Sequence, residues 1–240
     1  MSAPLEDADV ETASAGYARR FDSRVGEWML ATQMGITLDL LRDLGNASLL
    51  DVGGGHGQVA PTLAHGGLKV SVLASSPAAV GARLSSCVDS GLVDLLTGDL
   101  RRPPVEVQSF DVVLSYRLLA HARDLSALIA GLTGPARRAV IVDYATSRSF
   151  NAAADLLFTA KKSVEHNTRA FVVMKDQELA ALFAKEGFAL RARRPQFFWP
   201  MALHRALKTP TLSRGLEGLA RILGLRALFG SPVIARFDRV

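Results

Sequence analysis

The chain has 240 residues and a single cysteine, Cys87. One thiol can form neither an internal disulfide nor a cysteine metal cluster, so no metal site is predicted. No apolar run approaches the ~20 residues that span a bilayer. Residues 1–15 are acidic and rich in small side chains, without the basic-then-apolar order of a secretory leader. These absences predict a cytoplasmic protein and leave peripheral membrane contact open. Acids become scarce toward the end: from Phe188 to Val240 only Glu217 and Asp238 face ten Lys and Arg, a net of +8. The preceding residues therefore carry −3 of the overall +5. Such a tail suits anionic lipid, nucleic acid or an anionic substrate, or is a solvated basic face.

The chain has the material for a full core, since 49% of its residues are hydrophobic. Its most informative stretch is Leu49-Leu50-Asp51-Val52-Gly53-Gly54-Gly55-His56-Gly57. The aliphatic residues read as a buried strand, the glycines as a sharp turn, and His56 to Leu63 as a helix. Bare backbone at such a turn lets a ligand come close. A dinucleotide fingerprint beginning at Gly53 needs glycine at position 58, where Gln58 stands, so NAD is disfavoured.

Periodicity extends the pattern. Glu27–Leu44 reads as a helix ending at Gly45-Asn46. Strands are expected at Ser48–Val52, Lys69–Leu73, Leu92–Leu96, Phe110–Leu114 and Ala139–Asp143, then at Phe188–Arg193 and Pro232–Arg236. A helix is expected to open at Pro77, and others at Leu125–Leu132, Ala152–Val164 and Gln177–Lys185. Strands alternating with helices predict a parallel sheet wound on both faces. No internal repeat or long linker is visible, so a single domain is expected over 1–240. It would comprise a helical cap (1–46), a core (47–187) and final strands with a basic amphipathic insertion (188–240).

The D-x-G-x-G-x-G spacing of Asp51, Gly53, Gly55 and Gly57 resembles the first motif of class I S-adenosylmethionine (SAM)-dependent methyltransferases. The element order from Leu49 to Gly187 resembles that family too. The resemblance implies an α/β, Rossmann-like, doubly wound, seven-stranded sheet with the last strand antiparallel, and SAM as cofactor. It implies that Gly53, Gly54, Gly55 and Gly57 wrap the amino-acid half of SAM and that Asp51 accepts its ammonium group. The family's ribose-binding acid after the second strand falls on Ala74, which accepts nothing from a diol. Ser75 or Ser76 would have to substitute. Asp99 matches the acceptor for the adenine amino group, or is a turn residue, and Leu100 follows at the ring edge. Ser115 and Tyr116 would pass beside SAM, and Tyr17 belongs to a closing helix.

Three residues are candidate bases: His121, at the end of the segment after the fourth strand, and Glu165 and His166, after the fifth. Lys162 and Arg169 could hold an acidic substrate. The Asn/Asp-Pro-Pro-aromatic motif of enzymes acting on exocyclic base nitrogens is absent, which counts against a nucleic-acid substrate. Leu212, Leu216, Leu219, Leu223 and Phe229 share one helical face, opposite Arg214, Glu217 and Arg221. That face predicts core packing or a lid over the substrate, with a membrane-surface helix as the alternative. The expected activity is methyl transfer to a small aromatic or lipophilic molecule. A membrane-soluble quinone or lipid precursor is the alternative acceptor, and a non-catalytic SAM-fold binding protein the alternative class.

Overall fold

A computed structural model describes residues 7–149 and 172–240. The expected helix at Ala152–Val164, and with it Lys162, Glu165, His166 and Arg169, lies outside the described residues.

Short helices α1 (Ala8–Ala13) and α2 (Ala15–Ala18) precede the long α3 (Arg24–Leu41). Ser23 caps α3 by accepting the Gly26 N–H at 3.1 Å. Then come β1 (Ser48–Val52), α4 (Ala60–His65), β2 (Lys69–Ala74), α5 (Ala82–Asp89), β3 (Asp94–Thr97) and β4 (Phe110–Ser115). They are followed by α6 (Leu125–Thr133), β5 (Ala136–Tyr144), α7 (Asp176–Lys185) and β6 (Phe188–Pro195). Three helices, α8 (Met201–Leu207), α9 (Pro210–Ile222) and α10 (Leu225–Phe229), lead to β7 (Val233–Arg239).

The seven strands form one sheet in the order β3-β2-β1-β4-β5-β7-β6. The first five run parallel, and β7 inserts antiparallel between β5 and β6. This is the expected doubly wound sheet with its last strand reversed.

Both faces are covered, so the central strands are apolar nearly throughout. Leu50, Val52, Val113 and Val140 pack with Leu128, Leu132 and Phe183 from α6 and α7. Leu49, Val72, Val112 and Leu114 pack on the other face with Leu40 and Leu41 of α3 and Leu63 of α4. The period-2 alternation along each strand separates these two cores.

Two expected elements are corrected. Pro77 opens only a 3₁₀ turn, Pro77–Ala79, and α5 starts at Ala82 after Gly81. The stretch from His56 is not helical through to Leu63. Gly54–His56 is a 3₁₀ turn that ends at Gly57, whose φ of 65° is left-handed, and α4 starts only at Ala60.

Candidate active site

Strand order reverses between β1 and β4, so a crevice is expected at their carboxyl ends. The glycine turn lies there. Gly55 has no room for a side chain: a Cβ would stand 1.6 Å from the Ala79 carbonyl oxygen. The Gly81 N–H also donates to the Gly55 carbonyl at 2.8 Å. Gly55 thus lets the β2–α5 connection dock on the turn, a packing role that its expected place beside the ligand did not anticipate. A Cβ on Gly53 would meet Leu118 at 3.2 Å and Asp9 at 3.6 Å, so the first glycine is overlaid from another direction.

Around the turn, buried polar atoms lack partners. Asp51 is fully buried with neither carboxylate oxygen bonded, and burial pushes its pKa up to about 7. His56 accepts the Gln58 N–H on Nδ1 at 3.1 Å, which leaves the proton on Nε2. That Nε2 is buried without an acceptor, and burial holds the ring well below its ordinary pKa, hence neutral. An orphan acceptor and an orphan donor at one turn match the two ends of a zwitterionic amino acid.

The end of β2 carries the surprise of the site. Where Ala74 leaves the acid missing, a carboxylate arrives from α1. Asp9, only 1% exposed, accepts the Ser75 N–H at 2.7 Å through Oδ2. Its Oδ1 and the neighbouring Ser75 Oγ are buried without partners, and burial raises the Asp9 pKa. Ala8 packs in the same cluster as Val52, Leu73 and Leu100, so α1 closes over this part of the crevice. Nothing in the spacing of the glycine motif points to a residue more than 40 positions upstream. Nor did composition single it out, since Asp9 is one of four acids, with Glu6, Asp7 and Glu11, in the first fifteen residues.

The other expected cofactor residues fall as follows. Asp99 accepts from the Arg101 backbone N–H at 3.0 Å and from its guanidinium at 3.2 Å, the geometry of a turn residue. Burial alone would raise its pKa, but those hydrogen bonds bring it below the ordinary value. Leu100 is fully buried. Ser76 is half-buried, ahead of the Pro77–Ala79 turn. Ser115 Oγ donates to the Val52 carbonyl at 3.0 Å, joining β4 to β1. The Tyr116 side chain corrects its expected position: it lies in the core against α3, its hydroxyl 2.8 Å from Thr37 Oγ1. Only its backbone is available to a ligand.

Beside the crevice a cavity of about 480 Å³ opens at the ends of β4 and β5. Tyr17, expected in the helix that closes over SAM, and His121, a candidate base, both line it. Phe21, Met29 and Phe197 supply apolar wall, and Arg20, Arg117 and Arg205 supply charge. Arg117 has a left-handed φ of 62°, an uncommon conformation for a long side chain. Its backbone N–H donates to Asp143 Oδ1 at 2.6 Å. Its guanidinium donates to Gln58 and, at 2.9 Å, to Gln33, and lies 4.7 Å from the Phe21 ring centre. Arg117 therefore links the glycine turn to the cavity. Asp143 lies at the end of β5 in the cavity wall, and burial raises its pKa to about 6. Arg117 lies within the segment after β4 that ends in His121, and Asp143 lies at the end of β5, but neither was singled out, because Arg117 meets Gln33, Gln58 and Asp143 only in the fold. Among the described residues no cluster of His, Cys, Asp and Glu could hold a metal.

The fold is that of the class I SAM-dependent methyltransferases. Residues 50–134 match the family described as "Methyltransferase domain". No curated protein matches the sequence. Among solved structures, magnesium protoporphyrin IX methyltransferase (ChlM) from Synechocystis PCC 6803 with bound SAH is 17% identical, TM-score 0.66, over 95% of this chain and 96% of that one. PH0226 protein from Pyrococcus horikoshii OT3 is 13% identical, TM-score 0.65, over 95% of both chains. Geranyl diphosphate methyltransferase, solved with GPP and sinefungin, is 17% identical, TM-score 0.63, over 98% of this chain and 88% of that one.

Proposed function

We propose that the chain moves a methyl group from SAM to a small acceptor with an apolar body and an anionic group. One observation carries this reading. Partnerless buried polar atoms at the glycine turn adjoin an apolar, arginine-dressed cavity, and Arg117 touches both. When bound, SAM supplies a methyl group already activated on a sulfonium.

The chain's own groups then have these roles. Asp51 accepts the ammonium, and His56 Nε2–H with the turn's backbone N–H groups holds the carboxylate. Asp9 Oδ1 takes the place of the missing acid and, with Ser75 and Ser76, meets the ribose hydroxyls. Leu100 packs the ring, and Asp99 keeps its assignment to the adenine amino group, shared with Arg101. Tyr17 and Ser115 border the methionine side. In the cavity Arg20, Arg117 and Arg205 face the anionic group, and Phe21, Met29 and Phe197 enclose the apolar body. Asp143 receives the proton of a hydroxyl or amine acceptor, with His121, Glu165 and His166 as the other candidate bases. Excluding water and orienting the acceptor do the rest, since in-line displacement asks little else of side chains. Geranyl diphosphate, in the name of one similar structure, is itself an apolar body joined to an anion.

Calorimetry tests the cofactor: SAM and S-adenosylhomocysteine (SAH) bind, and NAD does not. Labelled methyl transfer to acceptor pairs that share a ring system and differ in a carboxylate tests the cavity. Equal turnover of both members would remove the anionic group from the proposal. A binding protein without turnover remains the second reading, favoured by Ala74 and by the seating of α1 over the crevice. Failure of SAH to bind would select against both readings.

A further inference from the structure

Helix α9 is inside out. It buries Ser213, Glu217 and Ala220, and leaves Leu212 57%, Leu219 57% and Ile222 79% exposed. Leu223 (61%), Leu228 (53%) and Phe229 (41%) continue this apolar surface across α10, which buries no residue. The expected separation into an apolar and a polar face is present, but the apolar face turns to solvent. It is neither core nor lid. The lid is built by residues before it, since Phe197, Pro200, Met201 and Arg205 line the cavity.

This orientation is pinned. Glu217 accepts the N–H groups of Phe198 and Trp199 at 3.0 Å and stands 3.0 Å from His204 Nε2, with Glu217, Phe198 and His204 buried. Rotating α9 to hide its leucines would break these bonds and strand a buried carboxylate.

The charge around the patch has one sign. Between Met201 and Phe229 stand Arg205, Lys208, Arg214, Arg221 and Arg226, and Glu217 is the sole acid and is buried. Arg214, Arg221 and Arg226 come together around a cleft of about 220 Å³, with Trp28 and Phe197 in its walls. Glu217 borders that cleft too, but its oxygens already serve Phe198, Trp199 and His204. No acid among the described residues forms an ion pair with any of the three arginines. Guanidiniums without partners beside bare leucines suit a surface that offers phosphate at one depth and hydrocarbon just below it.

We propose that α9 and α10 dock the protein on an anionic lipid bilayer. The leucines and Phe229 enter the headgroup boundary, and the arginine cleft receives a lipid phosphate. Docking stands on this surface alone. Only its corollary, that a lipophilic acceptor passes from the bilayer into the cavity next to α8, rests on the proposed methyl transfer.

The test is sedimentation of the full chain with vesicles, without cofactor or acceptor. The protein should pellet with equal-part phosphatidylglycerol–phosphatidylcholine vesicles, stay free of pure phosphatidylcholine, and detach as salt rises. Arg214→Glu with Arg221→Glu should lower partitioning by about tenfold or more. Leu219→Ser with Ile222→Ser, exposed changes that leave the fold intact by circular dichroism, should lower it by a similar factor. No pelleting at low salt overturns the proposal. So does pelleting indifferent to the serine pair, which would mean charge attraction alone. Competition by inorganic phosphate with no role for the leucines overturns it in favour of a free-phosphate site. A concentration-dependent dimer abolished by the serine pair overturns it in favour of a second copy.

Discussion

Asp51 has no donor for either oxygen and no access to water, and that defines its chemistry. Burial lifts its pKa from 3.8 to about 7. A carboxyl group whose folded pKa is raised costs stability as pH rises. The penalty is absent below the unfolded value, grows between 3.8 and about 7, and is constant above. At its fullest it is about 4 kcal/mol, at ~1.4 kcal/mol per unit. Asp51→Asn should therefore stabilise the unliganded protein, more at pH 8 than at pH 5, in urea unfolding followed by circular dichroism. A gain independent of pH would mean that Asp51 is not the strained group. Asp143 makes a second residue-scale prediction. With a pKa near 6, it is ionised at neutral pH and loses its proton-accepting form as pH falls through that value. For a hydroxyl or amine acceptor, kcat/KM should rise with pH about a midpoint near 6, and Asp143→Asn should abolish this limb. An unchanged profile would pass the role to His121.

At the scale of elements, departures from expectation occur both beside the glycine turn and far from it. The helix read from His56 is interrupted because Gly57 is left-handed, which apolar spacing cannot reveal. The tail helix was legible as amphipathic, but amphipathicity does not state which face meets the core. Glu217 decided that, through partners 13 to 19 residues away in sequence. Helix α1 was invisible as a site element, since nothing in the sequence separates Asp9 from the other acids of its segment. It now carries a prediction. If Asp9 Oδ1 serves the ribose, Asp9→Ala should weaken SAH binding by about 1.5–3 kcal/mol, the range for a hydrogen bond to a charged group. Calorimetry with 2′-deoxy-SAH should show a smaller loss from the same change. If α1 merely fills the crevice, Asp9→Ala should tighten binding of both ligands. Gly55→Ala belongs at this scale as well. Its Cβ would meet the backbone carbonyl of Ala79, so the variant should melt several degrees lower even without ligand. A variant with unchanged melting and lost SAH binding would restore Gly55 to the cofactor.

The whole molecule was the most legible level, because the seven strands and their alternation with helices follow from period, caps and glycine turns that are local in sequence. The order of pairing is not local, and neither is the meeting of Asp9, Asp51 and Arg117 at the strand ends, so Asp51 was legible beside its glycines while Asp9 and Arg117 were not. A ligand that satisfies those groups should be felt globally. If SAH binds the folded state alone, at a hundred times its Kd it should add about 2.7 kcal/mol to stability. For a chain of this size that corresponds to roughly 5–10 °C in Tm. The increment should grow from pH 5 to pH 8, because the ammonium group pairs with ionised Asp51 and draws its pKa back down, removing the penalty the unliganded protein carries. In Asp51→Asn the increment should be smaller and nearly flat with pH. NAD at the same concentration should leave Tm unchanged. Differential scanning calorimetry of both proteins at the two pH values decides it. A shift with NAD would reject the cofactor, and a pH-independent shift with SAH would reject Asp51 as the group that receives it.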